Sequence, residues 1–238
     1  MNPQVKSKAR VAEHGEVFTA EREVNAMLDL VKLQTERIDS LFLEPACGTG
    51  NFLVPILQRK LDVVKKRYGG VRRRADFEFW SVIAVMSVYG VELLEDNAAE
   101  CRSRLYDTWN TQYSANNKKE ATEACRAVVR YVLERNILCG DALSLLDSRG
   151  QPLVFSHWGA HLAGRRIKRT DWTLAELLNP PAVTPDPGPQ LERAAPAETQ
   201  LSLFGTPEPA DTADDSEGRR VAEFKVVHYL EIIAPEEA

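Results

Sequence analysis

Hydrophobic and polar positions along the chain follow two periods, which predict short strands separated by longer helices. Residues 42–44 form a short apolar run that ends in an acid, and residues 51–68 then show helical periodicity. Similar short runs at 89–93 and 137–139 are each preceded by a helical segment. Strands that alternate with helices in this way predict an α/β fold with a parallel sheet.

The first helical segment, 21–35, has an apolar face that predicts packing beside the sheet. That face consists of Val24, Met27, Leu28, Val31 and Leu33. Thr19 is predicted to be the N-cap, although Arg22 stands where a full capping box has an acid. Further helices are predicted at 77–88, 96–106 and 120–134, with a polar stretch at 110–119 before the last of them.

Beyond residue 145 the pattern predicts a strand at 152–158, a helix at 172–178 and a strand at 223–233. Alternate positions of the last segment are apolar, and we expect this strand to return to the edge of the sheet. Its inner row is Phe224, Val226, His228, Leu230 and Ile232. His228 is predicted to be a hydrogen-bonded core residue, and a catalytic histidine is the alternative.

Residues 179–218 contain eight prolines together with many small and acidic residues. Because such a composition cannot bury a core, a disordered linker is predicted here. The chain then divides into a flexible N-terminus (1–12), an α/β domain (13–178), the linker and a C-terminal strand region (219–238). A length of 238 residues suffices for one such domain with appendages.

The net charge of −5 is unevenly distributed. From residue 186 onward there are 12 acids and 4 bases, whereas residues 1–185 carry 23 acids and 26 bases. The acidic character therefore belongs to the tail and does not exclude nucleic-acid binding by the body. The chain contains no run of 18 apolar residues, so the sequence predicts no membrane span. Its basic start is not followed by the apolar segment of a secretory signal. Four widely spaced cysteines predict reduced thiols and hence a cytoplasmic protein.

The turn after the first strand carries the most specific signal in the chain. Its sequence is Glu44-Pro45-Ala46-Cys47-Gly48-Thr49-Gly50-Asn51-Phe52. Two glycines two positions apart let the backbone approach a ligand closely, and the N-terminus of the next helix adds oriented N–H donors. A dinucleotide fingerprint needs a third glycine where this chain has Leu53, so the match to that motif is weak. An ordinary turn without a ligand is the simpler alternative.

This turn resembles motif I of class I S-adenosylmethionine-dependent methyltransferases, in the form (D/E)-P-x-C-G-x-G-x-F typical of amino-methylating DNA enzymes. The matching residues are Glu44, Pro45, Cys47, Gly48, Gly50 and Phe52. The segment His14-Gly15-Glu16-Val17-Phe18-Thr19-Ala20 resembles motif X of the same enzymes, with alanine in place of the usual proline. The resemblance implies that S-adenosylmethionine is held by the matching residues, by Asn51 and by the pair Phe18-Thr19.

Two later strand ends resemble motifs II and III of this family. Glu92, followed by Leu93, ends the second strand, where a carboxylate can accept hydrogen bonds from two ribose hydroxyls. Asp141, followed by Ala142, comes after the third strand, and the resemblance implies a hydrogen bond from the adenine amine of the cofactor. A solvated acid and a simple turn are the respective alternatives. The implied fold is a doubly wound, Rossmann-like sheet with the cofactor over the carboxyl ends of its strands and no metal.

The fourth motif of amino-methylating enzymes, (D/N/S)-P-P-(Y/F/W), has no clear counterpart. In those enzymes the first side chain and a proline carbonyl accept the N–H groups of the target amine, and the aromatic ring stacks on the flipped base. Asn179-Pro180-Pro181-Ala182 is the one candidate, which makes Asn179 the candidate catalytic residue. Because alanine replaces the aromatic residue and a predicted helix precedes it, a helix stop before the linker is the stronger interpretation. Without the strand that carries this motif, the predicted sheet is incomplete.

The leading hypothesis is a DNA adenine-N6 methyltransferase of restriction–modification type, with Arg72–Arg74 and Arg165–Arg169 against DNA phosphates. Solvated charged loops are the alternative for these basic segments. The alternative function is a catalytically incomplete subunit or pseudoenzyme that binds S-adenosylmethionine and takes its acceptor site from a partner methyltransferase or restriction subunit. A methyltransferase of RNA, protein or small molecules is a third hypothesis. The pentapeptide Gln200-Leu201-Ser202-Leu203-Phe204 resembles a sliding-clamp-binding peptide, and docking onto the protein's own body is its alternative.

Overall fold

The computed structural model describes residues 10, 12, 19–178 and 221–233. Within these residues the chain is α/β, with seven α-helices, a three-stranded parallel sheet and an antiparallel sheet. The predicted α/β class is therefore confirmed. Phe18, Asn179, the linker at 179–218 and the pentapeptide at 200–204 lie outside the described residues.

The helices are α1 (Glu21–Leu30), α2 (Lys32–Thr35), α3 (Leu53–Tyr68), α4 (Arg74–Met86), α5 (Glu95–Asn117), α6 (Glu123–Asn136) and α7 (Leu174–Leu178). The strands are β1 (Phe42–Glu44), β2 (Val88–Glu92), β3 (Ile137–Cys139), β4 (Val154–His161), β5 (Arg166–Thr173), β6 (Ala222–Glu223) and β7 (Val227–His228). Short 3-10 helices lie at Val71–Arg73, Lys118–Glu120 and Tyr229–Glu231.

The central strand of the parallel sheet is β2, since the strand order is β1-β2-β3. Leu43 aligns with Tyr89 on one side of it, and Val91 aligns with Leu138 on the other. All five residues of β2 are buried, as expected for a parallel strand covered on both faces, whereas the three residues of β1 are half-buried. A doubly wound sheet needs a further strand beyond β1, and the described residues place none there.

Different parts of the chain cover the two faces of β2. On one face, a Cβ at Gly90 would lie 2.8 Å from Cys47 Sγ, so the turn after β1 packs closely against it. Tyr89 points to the opposite face. There its ring meets the Phe155 ring edge-on at 5.5 Å, and its hydroxyl donates to the Ser156 carbonyl at 3.0 Å. Strand β4 is thereby joined to the parallel sheet through the core.

Helix α5 is longer than the sequence predicts, and the polar boundary expected at 110–119 is wrong. Leu105, Trp109, Tyr113 and Asn117 are buried at every fourth position and continue one inner face. The Trp109 indole donates to Ser81 Oγ at 2.9 Å, which fixes α5 against α4. These few inward residues stand in a polar background, so the helical period is weak in the sequence.

Residues 166–169 belong to strand β5, so they do not form the solvated loop that was the alternative interpretation of Arg165–Arg169. The strand pairs with β4, β6 and β7, and its Ile167 is fully buried. The helix predicted at 172–178 is confirmed only for α7, because Trp172 and Thr173 belong to β5. Thr173 and Glu176 form a capping box, in which each side chain accepts the other residue's backbone N–H at 3.2 Å.

The prediction of one continuous strand at 223–233 is wrong. Strands β6 and β7 have two residues each and join β5 of the antiparallel sheet. The chain turns after His228 because the Tyr229 hydroxyl donates to the Glu78 carboxylate at 2.5 Å inside the core. His228 is half-buried, and its Nδ1 accepts the N–H of Leu230 at 3.4 Å, so its observed role is to cap this turn.

The first helix differs from its prediction at both its start and its face. Ala20, one residue after Thr19, precedes α1, and its N–H donates to the Glu23 carboxylate at 3.2 Å. Val24 and Leu28 are buried as expected, but the other apolar positions of the predicted face are exposed. Because α1 ends at Leu30 and α2 starts a new helix, the apolar period is not continued along one axis.

Candidate functional site

The turn between β1 and α3 adopts the conformation that its two glycines permit. Gly48 has φ 53° and Gly50 has φ 89°, a region that residues with a Cβ rarely adopt. The Gly50 N–H donates to the Cys47 carbonyl at 2.8 Å and closes the turn. A Cβ at Gly50 would lie 2.9 Å from Cys101 Sγ, so α5 packs directly beneath the turn. Both conformation and packing therefore require glycine here.

Cys47 supports this turn from below. Its N–H donates to the Val91 carbonyl at 2.9 Å, and its side chain is buried at 5% exposure. A hydrogen bond with Cys101, together with burial, raises the pKa of the Cys47 thiol well above its ordinary value. The thiol therefore stays protonated and inert, and only the backbone of Cys47 borders the turn surface.

Glu92 links the end of β2 to the turn. One oxygen of its buried carboxylate accepts the Gly48 N–H at 2.8 Å. The other accepts the Leu94 N–H at 3.1 Å and the Asn97 amide at 3.3 Å, at the start of α5. The alternative of a solvated acid is excluded by this burial. A carboxylate has about four acceptor positions, so Glu92 retains capacity for a hydroxyl donor.

Arg104 is a positioning residue that sequence reasoning missed. From α5 its Nη1 donates to the Thr49 carbonyl at 2.6 Å and to the Thr49 hydroxyl and Asn51 Oδ1 at 2.9 Å each. One guanidinium nitrogen thus binds a backbone carbonyl and two side chains of the turn. An arginine on a helix surface carries no sequence signal of this role, because the turn lies 55 residues away along the chain.

The third strand ends at the same edge as Glu92. The Gly140 N–H donates to the Glu92 carbonyl at 2.9 Å and extends the parallel ladder past β3. Asp141 follows, and its Oδ1 accepts the Leu143 N–H at 2.8 Å. This bond and one from Ser144 hold the pKa of the Asp141 carboxyl below its usual value. Asp141 is therefore an ionised acceptor at this edge at neutral pH.

Two exposed leucines flank these acids. Leu93 is 57% exposed directly after Glu92, and Leu143 is 95% exposed in the turn after Asp141. Ala142, between the two turn residues, packs partly against the core. Ligand sites commonly combine apolar side chains with a few oriented polar groups, and both kinds are present at this edge.

The remaining predicted site residues border the same turn. Glu44 is half-buried at the end of β1 and accepts the Ala46 N–H at 3.4 Å, and Pro45 is exposed. Phe52 packs partly against the core before α3. Thr19 is half-buried ahead of α1. Arg10 binds both oxygens of Asp96 in α5, at 2.6 and 3.2 Å.

The predicted phosphate contacts of Arg165–Arg169 are not supported, because most of these side chains are engaged within the protein. Arg169 forms a partly buried ion pair with Asp171 at 2.5 Å and stacks over the Phe224 ring at 4.1 Å. Arg165 pairs with Asp76 at 2.8 Å, and Lys168 pairs with Glu223.

The side chains of the basic segment Arg72–Arg74 are also partly engaged within the protein. Arg74 pairs with Glu120, and Arg73 donates to the Arg67 carbonyl at 2.8 Å. Arg72 is exposed. A phosphate contact would first have to break an ion pair within the protein if it used Arg74, Arg165, Lys168 or Arg169.

The residues before Asn179 do not form a strand of the parallel sheet. They form β5 and α7, and the Leu174 N–H donates to the Leu153 carbonyl at 2.8 Å beside β4. The segment Asn179-Pro180-Pro181 therefore follows a helix attached to the antiparallel sheet. This agrees with a helix stop and not with the end of a buried parallel strand.

Comparison of the chain with protein-family models, with curated proteins and with solved structures finds no match. Within the described part of the chain, no helix is both long and apolar enough to cross a membrane. Inferences about function therefore depend on the geometry of this edge and on the motifs in the sequence.

Proposed function

We propose that this chain binds S-adenosylmethionine at the carboxyl ends of β1, β2 and β3 and serves as the cofactor-binding part of a DNA adenine-N6 methyltransferase. The observation that carries the proposal is the hydrogen bond from the Gly48 N–H to the buried Glu92 carboxylate, 2.8 Å long. It joins the glycine turn and the acid, 44 residues apart in the chain, into one site.

The residues present at this edge fit the parts of such a cofactor. Backbone N–H groups at the start of α3 suit its methionine end. Glu92 suits the ribose hydroxyls, and the ionised Asp141 suits the amine of the adenine. Leu93 and Leu143 suit the apolar faces of the adenine ring. When bound, the cofactor supplies an electrophilic methyl group on a sulfonium, so no metal is required.

The acceptor half of the reaction is assigned to a second chain. An exocyclic amine is a weak nucleophile and needs acceptors for its N–H groups at the end of a neighbouring strand. The described residues offer no such strand beside β1, and Asn179 follows α7. A chain that methylates DNA alone is the second candidate, and it is favoured by the amino-methylating form of the turn from Glu44 to Phe52.

Calorimetric titration with S-adenosylmethionine tests the cofactor site. We expect one molecule bound per chain, and we expect Glu92→Gln to weaken binding about tenfold or more. A hydrogen bond to a charged group contributes about 1.5–3 kcal/mol, and about 1.4 kcal/mol corresponds to tenfold in affinity. The matched control is Glu134→Gln, an exposed acid on α6, which should leave affinity unchanged. An unchanged affinity in Glu92→Gln, or no binding by the wild-type chain, contradicts the proposal.

Transfer of tritiated methyl groups to unmethylated genomic DNA separates the two candidates. The cofactor-binding part predicts that the isolated chain binds S-adenosylmethionine but leaves the DNA unlabelled. Labelled N6-methyladenine produced by the isolated chain would instead establish the self-sufficient enzyme. Asn179→Ala would then show whether the Pro-Pro segment supplies the acceptor groups.

A further inference from the structure

The outer side of β1 pairs with nothing in the part of the chain that the structure describes. On the inner side, the Phe42 N–H donates to the Ser87 carbonyl at 3.0 Å. Because alternate residues of a strand turn their backbone groups to opposite sides, the N–H and C=O of Leu43 point away from β2. A strand laid along this edge would satisfy both groups.

This edge has few features that discourage pairing. Edge strands are commonly protected by lysine, proline or a bulge. The stretch Leu41-Phe42-Leu43-Glu44 contains neither lysine nor proline, and its apolar side chains are only half-buried. Purely parallel sheets are usually covered on both faces, whereas the residues of this strand are only half-buried among the described residues.

The two helices before β1 expose an apolar surface, here called the N-terminal face. It consists of Met27, Leu30, Val31 and Leu33, which are 53, 87, 43 and 84% exposed. The turn between α2 and β1 is fixed to α3 by the buried ammonium of Lys60. The N-terminal face and the outer side of β1 thus lie on consecutive elements, joined by a turn that Lys60 fixes in place.

The charge of residues 19–44 favours a protein over a nucleic acid as the molecule that binds this surface. Residues 19–44 carry six acids and three bases, a net charge of −3. A phosphate backbone would be repelled by this charge, whereas a protein surface with apolar centre and basic rim would complement it.

The position of the proposed cofactor site gives the occupant a function. In open α/β sheets, ligands bind where the strand order reverses. The order β1-β2-β3 runs in one direction only, so a reversal next to the glycine turn requires a strand on the outer side of β1. Every described strand already has its place in one of the two sheets, and the proline-rich composition of residues 179–218 does not predict a buried parallel strand, so we assign this strand to a second chain.

We infer that β1 and the N-terminal face bind a second protein chain, which adds a parallel strand along Leu43 and brings its acceptor groups to the glycine turn. This inference rests on the proposed function and names the partner surface of the same site. The partner strand is apolar and ends beside Gly48 in groups that accept hydrogen bonds from an amine.

Site-specific cross-linking tests the inference in the full chain, expressed in the cells from which its gene comes. A photoreactive benzoylphenylalanine is placed at position 30 or 41, and the control carries it at position 162, where Leu162 is 64% exposed in the β4–β5 turn. We expect positions 30 and 41, but not 162, to label one other protein. The peptide labelled from position 41 should contain an apolar run followed by (D/N/S)-P-P-(Y/F/W).

Labelling of residues 179–220 of the same chain, labelling of a second copy, or no labelling at positions 30 and 41 would overturn the inference. Leu30→Glu adds an independent readout, with Leu162→Glu as its control. Leu30→Glu should reduce the adduct from position 41 more than tenfold and leave S-adenosylmethionine binding unchanged. No binding of S-adenosylmethionine by the wild-type chain would refute the proposed function. Normal binding of S-adenosylmethionine without the cross-linked adduct would refute only the partner surface.

Discussion

Gly50 meets two requirements, a positive φ and close packing, and comparison with a second glycine can separate them. Its φ of 89° disfavours any side chain, and a Cβ would also lie 2.9 Å from Cys101 Sγ. Gly70 shares the first requirement, with φ 110°, but has no atom within 4 Å of its added Cβ. The pair therefore distinguishes backbone strain from close packing under the ligand turn.

We expect Gly50→Ala to destabilise the protein more than Gly70→Ala and to abolish measurable S-adenosylmethionine binding. Strain at positive φ costs about 1–3 kcal/mol at either position, and the clash with Cys101 adds to it only at Gly50. Urea unfolding and calorimetry of both variants provide the measurement. Equal losses of stability with cofactor binding retained in both would show that the turn tolerates displacement.

The turn that leads into β1 depends on a buried lysine of α3. Lys60 Nζ donates to the carbonyls of Arg37, Ile38 and Ser40 at 3.0, 3.1 and 2.5 Å, and to Ser87 Oγ at 2.9 Å. Burial lowers the pKa of Lys60 to about 7. Above that pH the folded chain loses this proton, whereas an unfolded lysine keeps its proton to about pH 10.4.

The unfolded state therefore binds more protons between these two values, and the contribution of Lys60 to stability rises with pH across that window. We expect the free energy of unfolding of the wild type, relative to Lys60→Met, to increase by up to about 1.4 kcal/mol per pH unit there. Urea unfolding of both proteins across the window measures this difference. A difference that stays constant would show that the three carbonyls keep the ammonium charged.

At the scale of the whole molecule, a buried carboxylate ties the C-terminal region to the helices. Glu78 in α4 accepts the hydroxyls of Tyr113 and Tyr229 at 2.5 Å each and the Asn117 amide at 3.3 Å. Burial, together with the bond to Glu78, raises the pKa of the Tyr229 hydroxyl above its ordinary value, so it remains a donor. The region after the linker is thereby part of the same core.

We expect Tyr229→Phe to lower the free energy of unfolding by about 1.5–3 kcal/mol, because a buried carboxylate loses a donor. Tyr106→Phe is the matched control, since the Tyr106 hydroxyl contacts the exposed Arg130 at 2.9 Å. The control should change stability by no more than about 0.5 kcal/mol. Chemical denaturation of both variants compares them, and similar small losses would show that Tyr229 is dispensable for the C-terminal contact.

Local signals in the sequence determined the elements that surround the site. An apolar run, two glycines and a helical period predicted β1, the turn and α3, and the acid at the end of a short apolar run predicted the position of Glu92. Each of these depends on residues within a few positions of one another, for which backbone sterics and side-chain period suffice. The motifs of amino-methylating enzymes added the cofactor hypothesis, which remains a prediction.

Contacts between distant residues were decided only by the tertiary structure. The support of the turn by Arg104 and the hold of Lys60 on the turn before β1 both join a charged side chain to a backbone segment that is distant in the chain. A charge becomes structural when folding buries it next to acceptors, and no local pattern encodes that burial. The position of β1 at the edge of the described sheet was decided in the same way, because strand order depends on where distant segments pack.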